Sequence, residues 1–275
     1  MKCSIIGLGL MGGSFGLSVR DFFDEIIGLD HNENHCKEAL NLGLVDKIGT
    51  LEDIGKSDYI ILAIPVRGII SALRDISKIT LKEDAVIIDF GSTKESIVNE
   101  CPQNIRKYLV ASHPMAGTEY SGPAAAISDL YTNKVMVVCN IENSGEIQKE
   151  KALNLFEYLK MNIKFMDAKE HDRHAAFISH MPHIVSFSLA NAVLKQEDKN
   201  NILTLAAGGF RDMSRLAKSN PHMWNDIFKE NKKNLLDSIE AFKDELKKAK
   251  NMIENNKWEE LEKWMEIGNT LHKIM

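Results

Sequence analysis

The run Gly7-Leu8-Gly9-Leu10-Met11-Gly12, set directly behind an apolar stretch at residues 2–6, limits what the chain can fold into more than any other feature. A strand that enters such a turn leaves it as a helix whose N-terminus meets closely approaching backbone, since glycines carry no Cβ to hold a ligand or neighbouring segment away. Residues 14–22 read as that helix, and residues 24–29 as a second strand ending at Asp30. Three glycines alone are a weak signal. With a strand before, a helix after and an acidic residue 18 positions beyond Gly12, they describe a cradle for a dinucleotide. The amides and dipole of the helix N-terminus favour a pyrophosphate, and an aspartate at the second strand's end accepts from the ribose hydroxyls. A glycine-rich turn with no ligand is the competing reading. Asp30 repels a 2′-phosphate, and no Arg or Lys stands in the residues just after it, so NAD is expected rather than NADP. Candidate cofactor-binding residues are Gly7, Gly9, Leu10, Met11, Gly12 and Asp30, with Ile64 and Pro65 from a later turn.

The same alternation continues. Helix-patterned residues 33–42 close at Gly43, a strand at 59–64 stops at Pro65, and a helix is expected over 66–76. Strands follow at 85–90, 108–111, 134–139 and 162–166, the last two flanking a helix at 145–159. The run at 85–90 is apolar nearly throughout, as a strand buried on both faces is. Strands alternating with helices imply a parallel sheet with right-handed crossovers, whose ligands gather beyond the strands' carboxyl ends. That rule singles out Ala63-Ile64-Pro65, Asp89-Phe90-Gly91-Ser92-Thr93-Lys94 and Ser112-His113-Pro114. The last opens the run S-H-P-M-A-G-T-E-Y-S-G-P, in which Pro114 forbids further ladder bonding and Ala116 and Gly117 let the backbone turn tightly. A histidine in such a place titrates near neutrality and can face a ligand. Ser92 and His113 are therefore candidates for the mouth of one crevice. The alternatives are a Ser92 that caps a helix beginning at Thr93 and a His113 hydrogen-bonded for structure alone.

From Ala168 the pattern is helical to the end. Residues 169–195 read as one long helix, kinked at Pro182 and carrying His171, His174, His180 and His183. At about 100° per residue, His180 and His183 lie half a turn away from His171 and His174, so the four do not converge on a metal ion. His180 and His183 share a side, which suits a ligand-facing pair; satisfied core histidines are the alternative. Residues 206–215, A-A-G-G-F-R-D-M-S-R, load a small-residue turn with cations. Helices at 225–247 and 248–274 are richly charged, yet Leu235, Leu236, Ile239 and Phe242 mark one apolar stripe and Leu261, Trp264 and Met265 another. A second subunit is expected to cover some of these. The net charge of −5 argues against a general nucleic-acid or membrane-surface role, because a polyanionic partner needs a basic face. Cys3, Cys36, Cys101 and Cys139 are widely spaced with no C-x-x-C pair, which gives neither a zinc site nor a disulfide framework and fits a reduced cytoplasm. No apolar run is expected to reach the ~18 residues that a membrane span needs.

Four stretches in this order, G-L-G-L-M-G-G-S, S-H-P-M-A-G-T-E, S-H-M-P-H and G-G-F-R-D-M-S-R-L-A, together resemble the prephenate dehydrogenase family over nearly the whole chain. The resemblance implies a Rossmann-type α/β dinucleotide-binding domain, residues 1–167, followed by an all-α substrate and dimerisation domain, residues 168–275. It implies a cytoplasmic homodimer of tyrosine biosynthesis that oxidises and decarboxylates prephenate, a small anionic substrate, with NAD. His113 matches the family's catalytic histidine, and Ser92 its partner beside the substrate hydroxyl. Glu119 falls at the site's edge, His180 and His183 match histidines lining the substrate cleft, and Arg215 matches the arginine that recognises substrate anions. A turn at Gly7 and helices ending at Met275 are expected to leave no room for the mutase or regulatory domains that some members carry, so any feedback by tyrosine would have to act at or near the active site. Arogenate, with an amino in place of the keto group, is the alternative substrate. More distant readings are another NAD-dependent hydroxyacid dehydrogenase, which relies on a lysine in its helical domain, and a catalytically silent NAD-binding sensor. Lys169 and Lys195 sit in no recognisable motif, and the presence of Ser92, His113 and Arg215 together argues against a silent sensor.

Overall fold

Eight strands form one sheet in the computed structural model, which describes residues 1–118, 120–196, 201 and 204–274. They are β1 (Lys2–Ile6), β2 (Glu25–Leu29), β3 (Lys47–Ile48), β4 (Tyr59–Leu62), β5 (Val86–Asp89), β6 (Leu109–Pro114), β7 (Val135–Cys139) and β8 (Asn162–Met166). Their order is β3-β2-β1-β4-β5-β6-β7-β8. The first six are mutually parallel, β7 runs antiparallel to β6, and β8 is parallel to β7. The two-residue β3 escapes the sequence pattern because so short a strand has no period to show.

Period two sorts the central side chains. Tyr59, Ile61, Val86 and Ile88 join one core with Phe15 of helix α1 (Leu10–Ser18) and Phe156 of the helix at Glu146–Tyr158. Ile60, Leu62 and Ile87 join the other with Ile69 and Leu73 of the helix at Val66–Ile76 and Ile97 of a helix at Glu95–Glu100. Residues Val66, Ile69, Ile70, Leu73 and Ile76 are all buried, which is the spacing of one helical face. Helix α1 starts four residues before the expected position and ends at Ser18. Its Met-Gly-Gly opening has poor helix propensity, but a Cβ on Gly16 would sit 2.1 Å from the Leu44 carbonyl oxygen. Close packing on neighbouring backbone therefore selects glycine there, against propensity.

Strand β6 also runs further than expected. It continues through His113 to Pro114 because β7 supplies an antiparallel partner, pairing His113 with Val137 and Pro114 with Met136. His113 thus sits on a laddered strand end rather than in a loop. After β8, helix α7 (Ala168–Ala175) passes through a π-turn (Ala176–His180) into helix α8 (Met181–Leu194). The irregularity expected at Pro182 takes this form: the wide turn lies just before the proline, which has no N–H to give to a regular turn. Contrary to expectation, the helical run 168–194 reaches the length and apolarity of a membrane span, with a mean hydropathy of 1.2 and only 11% of that window buried. Further helices lie at Gly208–Ser214 and Pro221–Glu230. The chain divides into two compact units, Met1–Asn231 and Lys232–Met275. In the second, helices span Lys232–Glu254 and Trp258–Asn269, so the expected break near 247 falls instead at Asn256, which adopts φ +53°.

Candidate active site

The chain leaves β1 for β2 and β3 on one side, then returns to place β4 on the other, so the ends of β1 and β4 border a crevice. Gly7 there has φ +97°, and a Cβ would lie 2.4 Å from the Ala63 carbonyl oxygen and 2.5 Å from Ile64 Cγ2. A Cβ on Gly12 would lie 1.8 Å from the Gly7 carbonyl oxygen. At Gly9 nothing comes within 4 Å of that position, so the space before the helix N-terminus is open. Asp30 Oδ2 accepts from the Leu8 amide at 2.8 Å and Oδ1 from the Asn32 amide at 2.9 Å, which ties the acidic residue to the turn. His31 and His35 flank it through Nδ1 at 3.3 and 3.4 Å. The Tyr131 hydroxyl donates to the Met11 carbonyl at 2.6 Å, anchoring the first turn of α1. Leu10 points into the core, so its contribution to a ligand is its backbone. Pro65 stands exposed at the start of the next helix. Open space at a helix N-terminus, backbone packed too tightly for side chains and a fixed carboxylate at the second strand fit a dinucleotide.

Parallel pairing of Asp89 with Ala111 sets the loop after β5, which carries Ser92, beside the end of β6, which carries His113. Buried groups lock this seam. Asp89 Oδ1 accepts from the Ser112 amide at 3.1 Å, and the Asp89 carbonyl accepts from the Ser112 hydroxyl at 2.8 Å. Lys94, fully buried, pairs with Asp89 and donates to the Ser112 carbonyl at 2.6 Å. Ser92 does not cap a helix from Thr93: the helix starts at Glu95, and its first amides are capped from elsewhere. Asp172 of α7 takes that role, accepting from Lys94 N at 2.7 Å through Oδ1 and from Glu95 N at 2.9 Å through Oδ2.

Helix α7 also brings a second imidazole. His113 Nδ1 lies 2.9 Å from His171 Nε2, and His171 Nδ1 lies 2.8 Å from Asp172 Oδ1. Burial, reinforced by neighbouring His171, Lys94 and His180, holds the His113 pKa well below the ordinary histidine value. The π-turn matters here. It takes up about one extra residue, roughly 100° of rotation, and so brings His180 round toward His171, where an unbroken α-helix would set them opposite. His180 accepts through Nδ1 from Asn231 Nδ2 at 3.1 Å, while the same amide donates to the Asp172 carbonyl at 2.6 Å. Its pKa falls to about 4, chiefly by burial, with Asp172 opposing. His183 donates from Nδ1 to the Ser179 carbonyl at 2.9 Å and stacks on Trp224 with ring centroids 3.4 Å apart. Burial lowers its pKa, the Ser179 carbonyl opposes, and Arg215 lowers it further, which places the exposed Arg215 near this ring. The Arg215 segment docks on α8 where the Ala217 amide donates to Ser186 Oγ at 3.0 Å.

His113, His180, His183 and Arg215 are thus linked neighbour to neighbour, Ser92 lies in the loop after β5, and Glu119 lies outside the described residues. Among the described residues no group of three His, Cys, Asp or Glu side chains is set to hold a metal. Asp172, Lys94, Asn231 and Trp224 are site-forming residues that sequence reasoning missed. Only the adjacency of His171 and Asp172 offered a signal, since the other partners lie far apart in sequence.

A dinucleotide cradle and a strand-end histidine on the same edge of the sheet define a dinucleotide-dependent dehydrogenase with a Rossmann-type sheet. Residues 15–165 match the family profile described as "Prephenate dehydrogenase, nucleotide-binding domain", and residues 167–267 that described as "Prephenate dehydrogenase, dimerization domain". The chain belongs to the prephenate dehydrogenase family. It is 33% identical to the prephenate dehydrogenase of Bacillus subtilis over 95% of this chain and 73% of that protein. It resembles the crystal structure of the Aquifex aeolicus prephenate dehydrogenase in complex with hydroxyphenyl propionate and NAD+, with a TM-score of 0.92, 31% identity, and coverage of 100% of this chain and 98% of that one. The Synechocystis arogenate dehydrogenase matches with a TM-score of 0.83 and 28% identity over 99% of each chain.

Proposed function

We propose that this chain is an NAD-dependent dehydrogenase that converts prephenate to 4-hydroxyphenylpyruvate and carbon dioxide, working as a cytoplasmic homodimer. The observation that supports the reading is the parallel pairing of β5 with β6, which brings the loop carrying Ser92 and the strand end carrying His113 out at the carboxyl edge of the same sheet that holds the dinucleotide cradle. Residues 1–167 carry the cofactor in this reading, and residues 168–275 the substrate anions and the contacts with a second copy.

Bound NAD supplies the acceptor for the hydride that leaves the hydroxyl-bearing ring carbon. His113, kept neutral by burial, takes the proton of that hydroxyl as the carbonyl forms, a step for which a placed general base contributes ~10²–10⁴-fold. Ser92 holds the hydroxyl at the strand end. Loss of the ring carboxylate as carbon dioxide then leaves an aromatic ring, which makes the conversion effectively one-way. Arg215 holds the side-chain carboxylate, for which a guanidinium fork suits better than a point charge. Gripping the departing carboxylate instead would stabilise the ground state and slow the reaction. His180 and His183 line the cleft, Glu119 stands at its edge, and Gly7, Gly9, Leu10, Met11, Gly12, Asp30, Ile64 and Pro65 form the cofactor site. The exposed Phe177, Ile178 and Leu194 give a second copy an apolar surface to cover. The likeness to an arogenate dehydrogenase keeps arogenate as a second substrate reading. The test is NADH formation with prephenate and with arogenate, each offered with NAD and with NADP. Turnover of prephenate with NAD is expected. No turnover of either substrate with either cofactor would overturn the reading.

A further inference from the structure

We infer that His171 and Asp172 are positioning residues that fix which nitrogen of His113 carries its proton. This rests on the reading of His113 as the base for the substrate hydroxyl. A neutral imidazole has one protonated and one bare nitrogen, and only the bare one can accept. His113 has two tautomers, and one of them presents an N–H to the crevice and is useless as a base.

With His171 neutral, the hydrogen bonds leave one consistent assignment. The Asp172 carboxylate accepts from the Lys94 and Glu95 amides, so it is an acceptor toward His171 as well. His171 Nδ1, 2.8 Å from Asp172 Oδ1, therefore carries a proton. A neutral His171 then has a bare Nε2, which accepts from His113 Nδ1 at 2.9 Å. His113 is left protonated at Nδ1 and bare at Nε2, the form a base needs. When His113 gains a second proton, its positive charge faces a hydrogen-bond acceptor polarised by a buried carboxylate, the arrangement that orients and supports a catalytic imidazole. His171 is 3% and Asp172 2% exposed, so water does not compete for these bonds. The helix-capping bonds add a second purpose to Asp172. They fix its carboxylate to the Ser92–Lys94 loop, so the relay and the loop are held in one register. The groups that face His113 are His171, His180 and Lys94, the last ion-paired with Asp89.

The experiment is nitrogen NMR on the full chain carrying ¹⁵N-labelled histidine, with steady-state kinetics on the same samples. In the wild type His113 should resonate as the Nδ1–H tautomer. In His171→Leu that fixed tautomer should be lost, and kcat should fall about ten- to hundredfold, within the range of a general base, while KM for prephenate and NAD stays within about twofold. His171→Gln, whose side-chain oxygen can accept where Nε2 did, should restore most of the lost kcat. A wild-type His113 protonated at Nε2 overturns the proposal, as does a His171→Leu enzyme with normal kcat beside an inactive His113→Asn, or a His171→Gln enzyme no better than His171→Leu. If His171→Leu fails to fold, the wild-type spectrum decides alone. That spectrum needs no turnover, so it remains decisive even where the prephenate reading fails.

Discussion

Strands β4 and β5 and helix α8 are similarly apolar in sequence, yet they meet opposite surroundings. Every residue of the two strands is buried, whereas Ser186 is the one fully buried residue of α8. The sheet region completes its core within one chain, with helices on both faces. Helix α8 leaves apolar side chains open, Leu194 being 50% exposed. The site straddles this difference. The half to which chemistry is assigned in the proposed function, His113 and Ser92, lies at the end of a finished sheet whose seam is locked by Asp89, Lys94 and Ser112. The half proposed to bind substrate, His183 and Arg215, rides on helices that leave apolar side chains exposed. The comparison predicts that damage on the sheet side lowers kcat and damage on the helical side raises KM.

The largest effect should come from the sheet side. His113→Asn keeps a hydrogen-bonding group but removes the base, so kcat should fall ~10²–10⁴-fold with NAD and prephenate binding retained. Because burial depresses the folded pKa of His113, the neutral base persists as pH falls below the ordinary histidine value of ~6.5. The acid limb of the kcat/KM profile should therefore lie below that value and vanish in the variant. A limb at or above it, or a variant with more than about a tenth of wild-type kcat, breaks the assignment.

Arg215→Ala tests the helical side. An unpaired substrate carboxylate in a partly desolvated cleft costs ~2–5 kcal/mol, expressed mainly in KM. A normal KM for prephenate would move the anion site to Arg211. The cover on α8 is tested by sedimentation: the wild type should be a dimer at micromolar concentration, and Leu194→Glu should shift it toward monomer by placing a charge in an apolar contact. A wild-type monomer contradicts the proposed partner. The smallest effect concerns cofactor choice. Asp30→Ser should narrow the preference for NAD over NADP about tenfold, or roughly 1.4 kcal/mol. Equal use of both cofactors by the wild type removes the role given to Asp30.

What was legible in the sequence followed from local pattern. The glycine turn, the strands around Ile61 and Ile88, and the helix with Val66, Ile69, Ile70 and Leu73 all declare themselves within a dozen residues. His113 and Ser92 stood out as candidates because strand ends are where such sheets place ligands. The rest depends on partners far along the chain. The extension of β6 through His113 needs β7, and the cap on the Lys94 and Glu95 amides comes from a residue 78 and 77 positions away. The histidine phases failed for a different reason, since an ideal turn angle takes no account of a π-turn. Asn231 gave no local signal either; its side-chain amide serves Asp172 and His180.

Asp172 has a consequence for motion. Its side chain holds two amides at the start of the helix after β5, and its carbonyl holds Asn231, so α7 is pinned to the sheet as one rigid block. Any opening and closing around a substrate would then pivot beyond that pin, with the irregular π-turn at 176–180 the nearest candidate joint. Amide hydrogen exchange reads this directly. Lys94 and Glu95 should exchange at the pace of the sheet core, and the amides that follow Ser179 should exchange faster. Fast exchange at Lys94 would place the joint on the sheet side instead.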